Sequence, residues 1–278
     1  METLLNDIKN ISKNNLSYDI KFFCEGIYVL IDNSLPGGNL NYFLVNEILN
    51  HYENKGLINN KTKIICKEDI ELSIAFANIC ASKGYELYVI SKKVSIEDFL
   101  NFKILNSKII FDNKNNINKY FNNRSEVFVI NLEDCIDLIK EKIKEYLRSF
   151  NLFNLFKFNT IVIKSEASII SKIFVQEIKK HIQNIEVIGV YVTTDNTNFE
   201  SLLNTRKIYD DFYLVDEKEG YENMIKLLKE NNFYVGIKGA AAMKVALIHK
   251  NKNKDKKILV IIPDRMERYF SMVQYYQI

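Results

Sequence analysis

Residues 63–91, KIICKEDIELSIAFANICASKGYELYVIS, hold a complete strand–helix–strand unit in 29 positions. The run 63–66 is short, apolar and β-branched, as a buried strand requires. Asp69 then stands where a helix N-cap belongs. Residues 69–83 carry apolar side chains at helical spacing, and Gly84 supplies the left-handed stop. Residues 86–91 return to a strand pattern. Two strands separated by one helix cannot form a hairpin, so they must lie parallel with the helix crossing one face of the sheet.

The same rhythm extends in both directions. Upstream, 27–32 reads as a strand and 39–55 as a helix stopping at Gly56. Downstream come helix 95–105, strand 108–111, an Asn/Lys-rich loop at 112–125, strand 126–130 and a helix from about 133 to 149. The second half gives strand 160–163, helix 167–181, and strands 186–192 and 212–215. Helix 218–230, strand 233–237, helix 239–250 and strand 257–262 complete it. The expected fold class is therefore α/β: two α/β/α lobes with parallel sheets covered on both faces, each lobe with its own core. A boundary near 150 assigns 38–148 to an N-terminal lobe, and 1–37 with 149–278 to a C-terminal lobe. Ligands of such folds sit at the C-terminal ends of the strands.

Composition excludes several classes. No apolar run approaches the roughly 18 residues a membrane helix needs, and the first residues carry an early acid and no signal-peptide core. A net charge of +3 is a weak basis for nucleic-acid binding, so neither membrane nor nucleic acid is expected as a partner. Cys24, Cys66, Cys80 and Cys135 form no C-x-x-C pair, and His51, His181 and His249 fit no zinc spacing. These read as buried free thiols of a reducing cytoplasm, surface histidines, and no metal site.

Several segments, in order, resemble cysteine synthase (O-acetylserine sulfhydrylase), a fold type II pyridoxal phosphate family related to the tryptophan synthase β subunit. Pro36-Gly37-Gly38-Asn39-Leu40-Asn41, with Lys55-Gly56-Leu57 after its helix, is similar to the family's P-G-G-S-V-K and K-G-L. Ser73-Ile74-Ala75-Phe76-Ala77 and Lys83-Gly84-Tyr85-Glu86-Leu87 resemble G-I-A-L-A and G-Y-K-L. Val94-Ser95-Ile96-Glu97 looks like M-S-I-E. Gly236-Ile237-Lys238-Gly239-Ala240-Ala241-Ala242 and Pro263-Asp264-Arg265-Met266-Glu267-Arg268-Tyr269-Phe270-Ser271 resemble G-I-S-S-G-A-A and P-S-S-G-E-R-Y-L-S.

The resemblance implies specific cofactor contacts, and this chain departs from them. The Schiff-base lysine position carries Asn41, whose amide nitrogen is no nucleophile, and helix 39–53 contains no lysine. The substrate-carboxylate loop corresponds to Glu68-Asp69-Ile70-Glu71, where Glu71 replaces an asparagine donor. Like charges about 4 Å apart repel by about 4 kcal/mol at an effective dielectric near 20. Those acids therefore read as a self-capped helix start, worth about 1 kcal/mol. The glycine-rich phosphate loop corresponds to Glu166-Ala167-Ser168-Ile169-Ile170, an ordinary strand-to-helix turn with Lys164 partly offsetting Glu166. The serine that touches the pyridine nitrogen corresponds to Asp264, read as an exposed acid beside Arg265. Lys238 is the lysine expected to reach the cleft from the second lobe. No catalytic residue and no cofactor are expected. The expected function is a cysteine synthase-like pseudoenzyme acting through a protein partner, as a self-dimer or a heteromer with an active cysteine synthase. The alternatives are a pyridoxal phosphate enzyme with a relocated lysine and a small-molecule sensor using the empty cleft.

Overall fold

The computed structural model describes residues 20–35, 37–111, 126–149, 157–194, 197, 199–274 and 276. The loop 112–125, Pro36 and the first nineteen positions of the C-terminal lobe lie outside them. Ten strands form two sheets. The larger contains β1 (Ile20–Cys24), β2 (Ile27–Ile31), β7 (Thr160–Lys164), β8 (Glu186–Thr193), β9 (Asp211–Asp216) and β10 (Ile258–Ile262), in the order β1-β2-β10-β7-β8-β9. The smaller contains β3 (Lys63–Cys66), β4 (Glu86–Ser91), β5 (Lys108–Phe111) and β6 (Val127–Val129), in the order β5-β4-β3-β6. All pairings are parallel except β1 with β2, an antiparallel hairpin that departs from the all-parallel expectation. Gly26, at φ +73°, makes its tight turn.

Eight α-helices are described: α1 (Asn39–Asn54), α2 (Ile70–Lys83), α3 (Ile96–Ile104), α4 (Ile136–Ser149), α5 (Ile169–His181), α6 (Phe199–Arg206), α7 (Glu217–Asn231) and α8 (Ile237–Lys252). Among the described residues no helix is long and apolar enough to cross a membrane. Local signals set most boundaries. Asp69 caps α2, with Gly84 in the left-handed region at its end, and Ser95 caps α3 through the Asp98 amide.

Three expectations fail. Residues 233–237 form no strand: the chain runs unpaired to Gly236 and α8 begins at Ile237. The apolar character of that stretch serves packing instead, with Phe233 against Phe23 and Val235 buried. The short helix α6 carries little apolar periodicity, and it and the 3₁₀ segment Met266–Gln274 are elements that the sequence reading does not include. Nor does each sheet have a separate core. One continuous core runs from Leu44, Ile48 and Phe76 through Ile139 and Ile143 to Val175, Ile178 and Val187, joining the two sheets through α4 and α5. A second core lies between the large sheet and α7 and α8. The other face of the small sheet carries only Ile65, Ile90 and Ile110 with Tyr88 and Val127, so no described helix contributes to it.

All four cysteines are free, three of them buried, and burial pushes the Cys66 thiol up to about 12. His249 is not on the surface as expected. It is 6% exposed, with Nε2 3.0 Å from Glu186 Oε2.

Candidate functional site

Parallel strands deliver the helices that follow them to a common end, so the starts of α2 after β3 and α5 after β7 face the cleft between the sheets, and the start of α8 joins them there through Lys238. Helix starts present unpaired N–H groups and a partial positive charge. Here the chain places a cap of its own at each of these starts. Asp69 Oδ1 accepts from the Leu72 amide at 2.9 Å, and Ser168 Oγ accepts from the Ser171 amide at 3.1 Å. The start of α8 is capped from a distant segment, the stretch after β10. The Asp264 carboxylate accepts from the amides of Lys238 at 3.0 Å and Gly239 at 2.8 Å, and from the Tyr269 hydroxyl at 2.6 Å. Asp264 is 2% exposed, which overturns the reading of it as an exposed acid. Arg265 pairs with Glu267 at 2.6 Å instead. Gly236 is required in this arrangement, because a Cβ there would lie 2.4 Å from the Asp264 carboxyl group.

The middle of the cleft is a buried ion network. Glu71 points away from solvent, at 1% exposure. Its Oε1 accepts from Lys238 Nζ at 2.7 Å and from the Arg268 guanidinium at 3.2 Å, and its Oε2 pairs with Lys164. Glu166 Oε1 accepts from Lys238 at 2.7 Å and Lys164 at 3.1 Å. Glu71 is therefore more than the first-turn acid of a self-capped helix start expected of it: its carboxylate is buried among cations from the other side of the cleft. The repulsion among the cleft carboxylates is answered by three cations drawn from β7, α8 and the 3₁₀ segment. Lys238 reaches the cleft as anticipated, but Lys164 meets it there. Arg268 and its second partner Asp98 meet here from 170 residues apart. The spacing around them carries no sign of an interaction made across the fold.

Burial and charge pull against each other in this network. Burial alone would push the Lys238 ammonium down, but Glu166 holds it well above the ordinary lysine range. Burial would raise the Glu166 carboxyl, but Lys164 and Lys238 hold it far below its usual value. For Lys164 burial wins, and its pKa is lowered. Carboxylate oxygens of Asp69, Glu71 and Glu166 lie within 4.8 Å of one another, a spacing that suits a metal ion. Lys164, Lys238 and Arg268 already occupy the Glu71 and Glu166 oxygens, so a metal ion would have to displace them.

Asn41 lies on the inner side of this network, where its amide donates to the Gly37 carbonyl at 2.9 Å. Gly37 packs against the start of α2 so closely that a Cβ would come 2.4 Å from the Glu71 carbonyl oxygen. The cavity there measures about 70 Å³, bounded by Asn41, Asp32, Lys164, Glu166, Ser168 and Ile170. Asp32 contacts the Tyr146 hydroxyl, and burial pushes its carboxyl up to about 7. On the outer side a wider cleft of about 640 Å³ opens between Glu68, Glu133, Ala167, Ile169, Tyr191 and Lys238. Of the sequence-predicted positions, Glu71, Glu166, Lys164 and Lys238 meet directly. Asn41, Ser168 and Ile170 line the inner cavity, Ala167 and Ile169 the outer cleft, and Asp264 sits beneath the α8 start.

The chain superposes on a hydrogen sulfide-producing enzyme from Fusobacterium nucleatum with a TM-score of 0.77 and 20% identity, covering 94% of this chain and 99% of that one. Cysteine synthase (O-acetylserine sulfhydrylase) from Entamoeba histolytica aligns with a TM-score of 0.72 and 16% identity over 96% of this chain and 90% of that one. O-acetylserine sulfhydrylase isoform 3 from the same organism gives 0.70 and 14% over 97% and 92%. No protein-family model matches the chain. At these identities the likeness is one of fold, and the fold is that of the cysteine synthase-type, fold type II pyridoxal phosphate enzymes.

Proposed function

We propose that this chain is a noncatalytic protein on a cysteine synthase-type scaffold, one that holds no pyridoxal phosphate and acts by binding another protein. The observation that carries this reading is the buried network of Glu71 and Glu166 with Lys164, Lys238 and Arg268. The residues present do not fit the cofactor. Asn41 supplies no amine. Lys164 and Lys238, the lysines of the network, are held by carboxylates that would lose a buried partner if either amine turned to an aldehyde. Glu166 and Ile169 stand where a phosphate needs close, unobstructed backbone N–H groups, and the helix starts that attract anions are already capped by Asp69, Ser168 and Asp264.

A scaffold without this chemistry keeps its surface, and a self-dimer or a heteromer with an active cysteine synthase is the partnership we propose for it. Borohydride reduction of the purified protein after incubation with pyridoxal phosphate, followed by peptide mass spectrometry, tests the first half. We expect no adduct, and an adduct on Lys164, Lys238 or any other lysine overturns the reading in favour of a relocated Schiff base. Size-exclusion chromatography of the chain alone and co-expressed with a cysteine synthase tests the second half. A monomer in both samples refutes the partnership.

A further inference from the structure

The two sheets are joined twice, in two different ways. The continuous apolar core joins them through α4 and α5. At the cleft they are joined by charge, and every contact that crosses between the two sides runs from an acid of the small-sheet side to a donor of the large-sheet side. The small-sheet side supplies acids: Glu71 from α2, and Glu97 and Asp98 from the first turn of α3. The large-sheet side supplies their partners: Lys164, Lys238, Arg268 and Ser271. Arg268 forms the centre. Its Nε and Nη2 each lie 3.2 Å from one Asp98 oxygen, a two-pronged grip, and its Nη1 reaches Glu71 at 3.2 Å. Asp98 is 5% exposed and Glu71 1%, so neither is an ordinary surface acid. Three residues on, the Ser271 amide and hydroxyl donate to the two oxygens of Glu97 at 2.5 and 2.9 Å. Arginine suits this task because its rigid fork engages two acceptors at once and stays charged at any accessible pH.

We propose that Arg268 is a latch that holds the cleft closed in the resting protein and keeps the cavity at Asn41 small, so that release of the Asp98 and Glu71 contacts is what opens that cavity. The inner space of about 70 Å³ is far below the roughly 300 Å³ at which small-molecule sites begin. Lys164 and Glu166 border both this space and the outer cleft, and they belong to the network to which Arg268 is tied through Glu71. The junction through α4 and α5 is mainly apolar, with one long ion pair between Lys144 and Glu177 at 3.9 Å, and acts as the fixed side of the motion. The latch rests on the ion pairs alone and stands whether or not a cofactor enters the cleft.

A thiol placed in the inner cavity reads the opening. In Asn41→Cys protein, labelling by a maleimide is followed residue by residue with peptide mass spectrometry. The introduced thiol should react slowly, and adding Arg268→Gln should accelerate it on the order of a hundredfold, since removing one partner of a buried ion pair costs that much or more in equilibrium terms. Arg268→Lys, which keeps the charge and loses the fork, should fall between. The buried Cys66, Cys80 and Cys135 serve as the internal control and should stay unlabelled throughout. Fast labelling in Asn41→Cys alone, or no acceleration by Arg268→Gln, overturns the latch. So does acceleration shared by the three core cysteines, which would make Arg268 a residue of global stability.

Discussion

Replacing Glu71 by glutamine removes one charge and almost no volume, and the network predicts a large cost for it. Among the described residues Glu71 is the only acid that touches Lys164, Lys238 and Arg268 together. In Glu71→Gln, Lys164 and Lys238 share Glu166 alone, and Arg268 keeps Asp98 alone. Breaking a buried pair by removing one partner costs about 3–5 kcal/mol, because it leaves a charge that is neither solvated nor paired. A chain of this length shifts its melting temperature by about 2–4 °C per kcal/mol, so a drop on the order of 10 °C is expected. Urea denaturation gives the free energy directly, and its slope checks that the unfolded state is unchanged. The double variant Glu71→Gln with Lys164→Met should recover part of the loss, because the cation left over is removed with its counter-charge. A loss below about 1 kcal/mol for Glu71→Gln would refute the reasoning. The network would then be solvated and worth no more than a surface ion pair.

Asp69→Ala should lower stability by about 1 kcal/mol in the same assay, the worth of an N-cap, and no loss would mean that the Leu72 contact is not a cap. Asp264→Ala leaves two amides of α8 and the Tyr269 hydroxyl unpartnered and should cost at least about 2 kcal/mol, with faster hydrogen exchange at Lys238 and Gly239. Asp32 has its carboxyl raised by burial from 3.8 to about 7, so the folded state holds that proton more tightly than the unfolded chain. Its contribution to stability is then fully present below about pH 4 and is lost as pH rises through about 7. Asp32→Asn should flatten that decline, and an unchanged pH profile would count against a buried acid at this position. Asn41→Lys alone should yield no borohydride-trapped pyridoxal phosphate adduct, because the Glu71 and Glu166 network still fills the cleft. Trapping at the new lysine would show that the single residue was what was missing.

The sequence alone determined whatever is decided within about one turn of chain. The unit β3–α2–β4 begins and ends where 63–91 says it should, because an aspartate cap, a helical stripe and a left-handed glycine are all local devices. The departures of Asn41, Glu71 and the 166–170 turn from a cysteine synthase pattern are likewise visible in the order of residues. What the sequence left undecided is what those residues face. A glutamate in the first turn of a helix reads as part of its cap, and only the fold brings Lys238 and Arg268 to Glu71 from 167 and 197 residues away and turns it into the centre of a buried network. Asp264 reads as an exposed turn acid until the fold sets it under the N-terminus of α8, with no Cβ at Gly236 to keep it out. Residues 233–237 have the apolar character of a strand, yet a strand needs a neighbour, and packing against Phe23 used that apolar surface without one. Periodicity records how much a segment buries. Which side chain or ion meets it there is a long-range property that tertiary structure decides.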